Sequence, residues 1–140
     1  MAVKGLDSLL RKLRSLSKLE ADKAIGEALF AAGNLIEVEA AISITTGAVS
    51  GRNHVPSNPG EPPNEDTGML SRGIQTIQVS PTEVRVVSDA PYSAALEFGT
   101  SRMEARPFMG PAVRAKRKDA RDLIRRRVKA GIRRAMQGRG

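Results

Sequence analysis

The sequence predicts an α+β fold: a small antiparallel β-sheet packed against a long helix in the N-terminal half and a basic amphipathic helix at the C-terminus. Three observations predict it. Apolar residues recur at three- and four-residue spacing before residue 45 and again after residue 111. Between them, two β-branched runs, Ile74–Val79 and Glu83–Val87, are separated only by Ser80-Pro81-Thr82. Finally, 140 residues suit one domain, residues 1–140, with a modest core, and the absence of cysteine excludes disulfides and thiolate metal sites.

The chain opens with an amphipathic helix within residues 1–17. Leu6, Leu9, Leu10, Leu13 and Leu16 share a face, and Arg11, Lys12 and Arg14 lie opposite. Its apolar face fits either its own domain or a neighbouring subunit. Ser17-Lys-Leu-Glu20 has the form of a capping box, in which Ser17 and Glu20 satisfy each other's free amides. A second helix is expected over Lys18–Ile44, with Ala24, Ala28, Ala31, Ala32, Leu35, Val38 and Ile42 as a small-residue stripe. Gly26 and Gly33 are expected to weaken that helix, each by about 1 kcal/mol relative to alanine.

Residues 48–67 are rich in Gly, Pro, Asn and acidic groups, and Pro56, Pro59, Pro62 and Pro63 rule out a helix there. A stretch of this length is a mobile surface loop or an arm that orders on a neighbour. Asp66 or Thr67 is placed to cap a turn through Met69-Leu70-Ser71. The hairpin over residues 74–87 comes next. A lone hairpin is marginal, so the long helix must cover one face, and an open strand edge is available for pairing across subunits.

Three of the four aromatic residues, Tyr92, Phe98 and Phe108, fall within residues 89–112. Pro91 suits the opening of a short helical turn whose apolar side is Tyr92, Ala95, Leu96 and Phe98. Gly99 suits its closure in a left-handed conformation. Arg106-Pro107-Phe108 should return extended, because the residue before proline is driven from the helical region. A final helix is expected over residues 112–136, with Val113, Ala120, Leu123, Ile124, Val128, Ile132, Ala135 and Met136 on its apolar face.

Charge is unevenly spread. Residues 112–140 hold twelve Arg or Lys and two Asp, whereas the rest of the chain holds eleven basic and thirteen acidic groups. The cationic band comprises Arg114, Lys116, Arg117, Lys118, Arg121, Arg125, Arg126, Arg127, Lys129, Arg133 and Arg134. It is open to three uses: a solvated face, contact with an acidic partner subunit, or non-specific contact with DNA phosphates. No helix-turn-helix spacing, zinc-finger pattern or aromatic platform supports sequence-specific reading. Binding to a membrane surface lacks an inserting Trp or Phe on the apolar side. No apolar run approaches the roughly 20 residues of a membrane span, and the N-terminus lacks a secretory apolar core, so synthesis in a cytoplasm is expected.

Catalysis finds no support in the residues. His54 is the single histidine, in the Pro-rich loop without metal-ligand spacing. No Gly-x-Ser-x-Gly elbow, phosphate loop or placed carboxylate pair is present. The expectation is a protein that is not an enzyme and carries no metal or cofactor.

Two motifs carry a family resemblance. Tyr92-x-x-x-Leu96-Glu97-Phe98-Gly99-Thr100 is followed by Ala105-Arg106-Pro107-Phe108-x-x-Pro111-Ala112, and upstream stands Gly60-x-Pro62-Pro63 with Thr67-Gly68-x-Leu70 and Ile74. In order and spacing they resemble the gp10-like tail-component family, the neck and tail-completion proteins of tailed bacteriophages, over roughly residues 20–125. The resemblance implies a virion structural protein at the head–tail junction, made in the host cytoplasm. It implies assembly as a ring between head connector and tail, six copies preferred and twelve the alternative, in contact with other connector and tail proteins and with packaged DNA passing through. Interaction residues are expected among Gly60, Pro62, Pro63, Thr67, Gly68, Leu96, Glu97, Phe98, Gly99, Thr100, Arg106, Pro107 and Phe108, most of them serving the fold, with Arg106 paired to Glu97. The basic terminal helix departs from the family pattern and leaves open a non-specific nucleic-acid binder as the alternative.

Overall fold

The computed structural model describes residues 5–45, 56–63 and 68–138. Helices α1 (Leu6–Arg14) and α2 (Lys18–Thr45) come first, then the single turn α3 (Met69–Arg72). Strands β1 (Ile74–Ser80) and β2 (Glu83–Ser88) form a two-stranded antiparallel sheet, followed by α4 (Ser93–Phe98) and α5 (Met109–Gln137). The expected α+β architecture is present: the hairpin and α5 both pack on α2.

Local signals set the start of α2. The Ser17 amide donates to Glu20 Oε1 at 3.0 Å and the Glu20 amide to Ser17 Oγ at 3.2 Å, the reciprocal box read from the sequence. The faces of α2 differ from the expected stripe. Ala24, Ala28 and Ala32 are buried, but Val38 and Ile42 are about half exposed, and Gly26, Gly33, Ala40 and Ile44 are buried instead. Gly26 and Gly33 are seven residues apart, on one side of the helix. A Cβ on Gly26 would stand 2.7 Å from the Pro81 carbonyl oxygen, and one on Gly33 2.7 Å from Thr76 Cγ2. These glycines are what lets the hairpin lie directly on α2, so the expectation that they only weaken the helix is corrected. On the flank facing α5, Gly131 does the same, since its Cβ would meet Ala24 Cβ at 2.8 Å.

By length and composition α2 is apolar enough to span a bilayer, with a mean hydropathy of 1.4 over its most apolar window. In this fold it is the central helix, with the hairpin on one side and α5 on another.

The hairpin runs as expected, Ile74 opposite Ser88 and Ile77 opposite Arg85, with a register shift between Gln78 and Ser80 that leaves Val79 as the extra residue. The Thr76 amide donates to Glu37 Oε1 on α2 at 3.1 Å, so a helix side chain occupies part of the β1 edge. Thr76, Val84 and Val86 face Gly33, while Ile77 stays on the outer face, 41% exposed, and Val79 at the register shift is 46% exposed.

α2 and α5 run antiparallel, and the core falls into two clusters along them. At the end where α2 finishes, Ala40, Ile44, Leu70, Ile74, Ala90, Phe108 and Ala112 pack together, with Leu96 and Met109 against them. At the other end, Leu9 and Leu16 pack on Ala28, Val128 and Ile132. α1 thus docks on its own domain, one of the two options its amphipathic face left open.

Candidate functional site: the motif turn and the basic helix

The two sequence motifs meet in space. Asn58-Pro59-Gly60-Glu61 forms a tight turn, with the Glu61 amide donating to the Asn58 carbonyl at 3.1 Å and Gly60 at φ +86°. Proline followed by a positive-φ glycine is the requirement of a type II turn. Its Gly60 amide donates to the Ala105 carbonyl at 2.8 Å, which ties the upstream motif to the downstream one. Pro63 is buried and Pro62 half-buried beside it. Thr67, with the expected Asp66 or Thr67 cap, lies outside the described residues, as do residues 48–55 of the Pro-rich stretch and His54. Gly68 precedes α3 at φ +80°.

Downstream, the turn around α4 is fixed from several sides. Gly99 has the positive φ expected of it, +76°, but with ψ 173°, an extended glycine-only region rather than the left-handed helical one. A Cβ there would meet the Ala105 nitrogen at 2.9 Å and the Met103 carbonyl oxygen at 3.0 Å. The Thr100 amide donates to the Met103 carbonyl at 2.8 Å, closing the 100–103 turn. The Arg106 amide then donates to the Leu96 carbonyl at 2.6 Å, Pro107 is half-buried, and Phe108 is 1% exposed in the core.

Glu97 does something the sequence did not disclose. Its Oε1 accepts from the amides of Phe108 and Met109 at 3.0 and 2.8 Å, and its Oε2 from Gly110 at 3.0 Å. These are free donors at the start of α5, and Pro111, the next residue, brings no donor at all. One carboxylate and one proline therefore account for the whole first turn, and a negative charge there also suits the helix dipole. This explains why α5 begins at Met109, before Pro111, and not at residue 112 as expected. It also corrects the expected Glu97–Arg106 pair: Glu97 makes no ion pair among the described residues, and Arg106 Nε is buried without an acceptor.

Leu96, Glu97, Gly99, Arg106, Pro107 and Phe108 are thus held within the domain. Phe98 is the exception. It sits between two anchored residues, Leu96–Glu97 and Gly99, yet is 81% exposed. Tyr92, at the start of the same turn, is 42% exposed.

The basic residues of α5 divide by partner. Lys116 approaches Glu39 at 3.9 Å and Arg134 pairs with Glu27 at 3.0 Å, both linking α5 to α2. Arg114, Arg117, Lys118, Arg121, Arg125, Arg126, Arg127, Lys129 and Arg133 form no ion pair among the described residues, and all but the half-buried Arg125 are exposed. Lys12, on the polar side of α1, lines a 530 Å³ cleft with Lys129 and Arg133 over Leu9, Ile132 and Met136. Only the docking of α1 on α5 brings it there. Among the described residues, no group of three or more His, Cys, Asp or Glu is gathered that could hold a metal ion. Comparison of the chain with family models, characterised proteins and solved structures finds no match.

Proposed function

We propose that this protein is a virion structural protein of the phage head–tail junction, a neck or tail-completion component that assembles as a ring between head connector and tail. The observation that carries the reading is Phe98: a bulky aromatic presented to solvent by a turn whose neighbouring residues are hydrogen-bonded and packed in place. An aromatic held in advance costs little entropy to dock, which is how the energetically dominant residues of protein interfaces act. That Phe98 lies inside the Leu-Glu-Phe-Gly-Thr motif links this assembly surface to the family resemblance. A ring of six, or alternatively twelve, copies follows by analogy with that family, and the role assigns no catalytic residue and no cofactor.

The test is the light-scattering mass of the full-length protein eluting from a sizing column, at low and high salt, beside the Phe98→Ser variant. A salt-resistant, ring-sized mass that falls in Phe98→Ser supports the reading. A wild-type protein that is monomeric alone and in the presence of purified connector and tail complexes overturns it.

A further inference from the structure

We infer that the solvent ridge of α5 is a binding surface for the phosphate backbone of duplex nucleic acid, without sequence selection. The inference goes beyond the ring assembly and does not depend on it; in a ring, the ridge would be the element turned toward passing DNA.

The ridge consists of Arg114, Lys118, Arg121, Arg125 and Lys129, at successive spacings of four, three, four and four residues. At ~3.6 residues per turn these five fall within an arc of roughly 80° and extend about 22 Å along the helix. No acidic residue lies within that arc; Asp122 stands about 20° and Asp119 about 80° beyond its Lys129 edge, and neither forms an ion pair with it among the described residues. The cations of α5 that α2 does neutralise, Lys116 and Arg134, lie on the side turned toward α2. At the far end Lys12 joins Lys129 across the α1–α5 cleft, so a second helix lengthens the strip.

The chemistry favours phosphate over an acidic protein. Protein interfaces of ordinary size have an apolar centre and are depleted in lysine. This arc contains cations alone from Arg114 to Lys129, apart from the edge of the cleft. Such a row matches a uniform line of negative charge, and guanidinium groups bind phosphate oxygens in pairs. The same arc offers no aromatic surface for stacking and no side chain aimed at base edges, so duplex binding without sequence preference is what it can supply.

The experiment measures fluorescence anisotropy of two labelled 24-base-pair duplexes of unrelated sequence, with the full-length protein, from 50 to 200 mM salt. Labelled polyglutamate of equal charge is the competing probe. Five neutralised phosphates give a log–log salt slope of about −4.5, so affinity should fall about 500-fold over this range. Both duplexes should bind alike and more tightly than polyglutamate. The triple variant Lys118→Gln/Arg121→Gln/Arg125→Gln should lower the slope by about 2.7 at −0.9 per contact. A control triple, Arg14→Gln/Arg85→Gln/Arg102→Gln, removes the same charge from other exposed positions and should keep the slope. Far-ultraviolet dichroism confirms that each variant is folded.

Absence of duplex binding at 50 mM overturns the inference. So does polyglutamate binding as tightly as duplex, which would assign the ridge to an acidic protein, or equal loss in both triples, which would reduce it to net charge. Mass on the sizing column separates the two proposals. A ring that ignores DNA removes only the ridge, and a protein that binds DNA through the ridge yet stays monomeric even with connector and tail complexes removes only the ring.

Discussion

Glu97 holds three amides at the start of a 29-residue helix. Glu97→Ala would leave these donors in a partly buried turn. Hydrogen bonds to a charged acceptor are each worth about 1.5–3 kcal/mol, but shared acceptors and water access reduce the sum, so a loss of about 2–3 kcal/mol is expected. Thermal or urea unfolding measures it, and a loss below about 0.5 kcal/mol, the level of an ordinary surface change, would remove the cap from the account. Gly33 makes a second residue-scale case. By helix propensity alone Gly33→Ala should stabilise by about 1 kcal/mol. The Thr76 methyl 2.7 Å from the added Cβ, with Val84 Cγ1 at 3.2 Å, forces the hairpin outward instead. Overpacking of this kind costs about 1–3 kcal/mol, so the variant should melt below the wild type. A variant that melts above it would show that the hairpin yields freely.

At the scale of elements, what could be read from the sequence was what is local. The capping box of α2 spans four residues and stands as read, and the hairpin is joined where expected, though by Pro81-Thr82 alone because Ser80 pairs with Glu83. The Glu97 cap links groups eleven to thirteen residues apart through a turn whose path no periodicity encodes. The α2 stripe was misread for a different reason. The helix receives the hairpin on one side and α5 on another, so it is small and apolar over most of its girth and no single face stands out. Glycines in that pattern looked like defects because a close approach has no signature until the partner is known. α1 is lightly held: it meets the rest of the fold through Leu9 and Leu13, with Leu16 just beyond its end, while Leu6 and Leu10 are each 37% exposed. It should open as a unit of its own, since regions with few buried contacts exchange ahead of the core. In Leu9→Ala, amide exchange over residues 6–14 should approach that of an unprotected chain, while α2, β1 and β2 keep their protection. Loss of protection throughout would instead make α1 part of the cooperative core.

For the whole molecule, the decisive geometry is that the two most exposed large apolar side chains among the described residues lie toward opposite ends. Phe98 belongs to the turn packed where α2 finishes, against Phe108 and Ile44, whereas Leu19, 80% exposed, sits at the start of α2 beside Val79 and Pro81 of the hairpin. Along α2, residues 19 and 44 are roughly 37 Å apart at 1.5 Å per residue. Two distinct sticky ends on one chain are the condition for a heterologous contact, which closes into a ring if the rotation allows, whereas one self-complementary patch stops at a dimer. The ring reading thus makes a demand stronger than loss of mass. Phe98→Ser and Leu19→Ser should each abolish the ring without altering the fold, because both side chains are in solvent in the monomer. Mixed in equal amounts, the two variants should yield a heterodimer and nothing larger, because only one junction, the intact Phe98 of one against the intact Leu19 end of the other, can form. Light scattering of each variant and of the mixture reads this directly. If Phe98 packed against a second Phe98 across a two-fold axis, Leu19→Ser would keep the wild-type mass, and the head-to-tail arrangement would have to be abandoned.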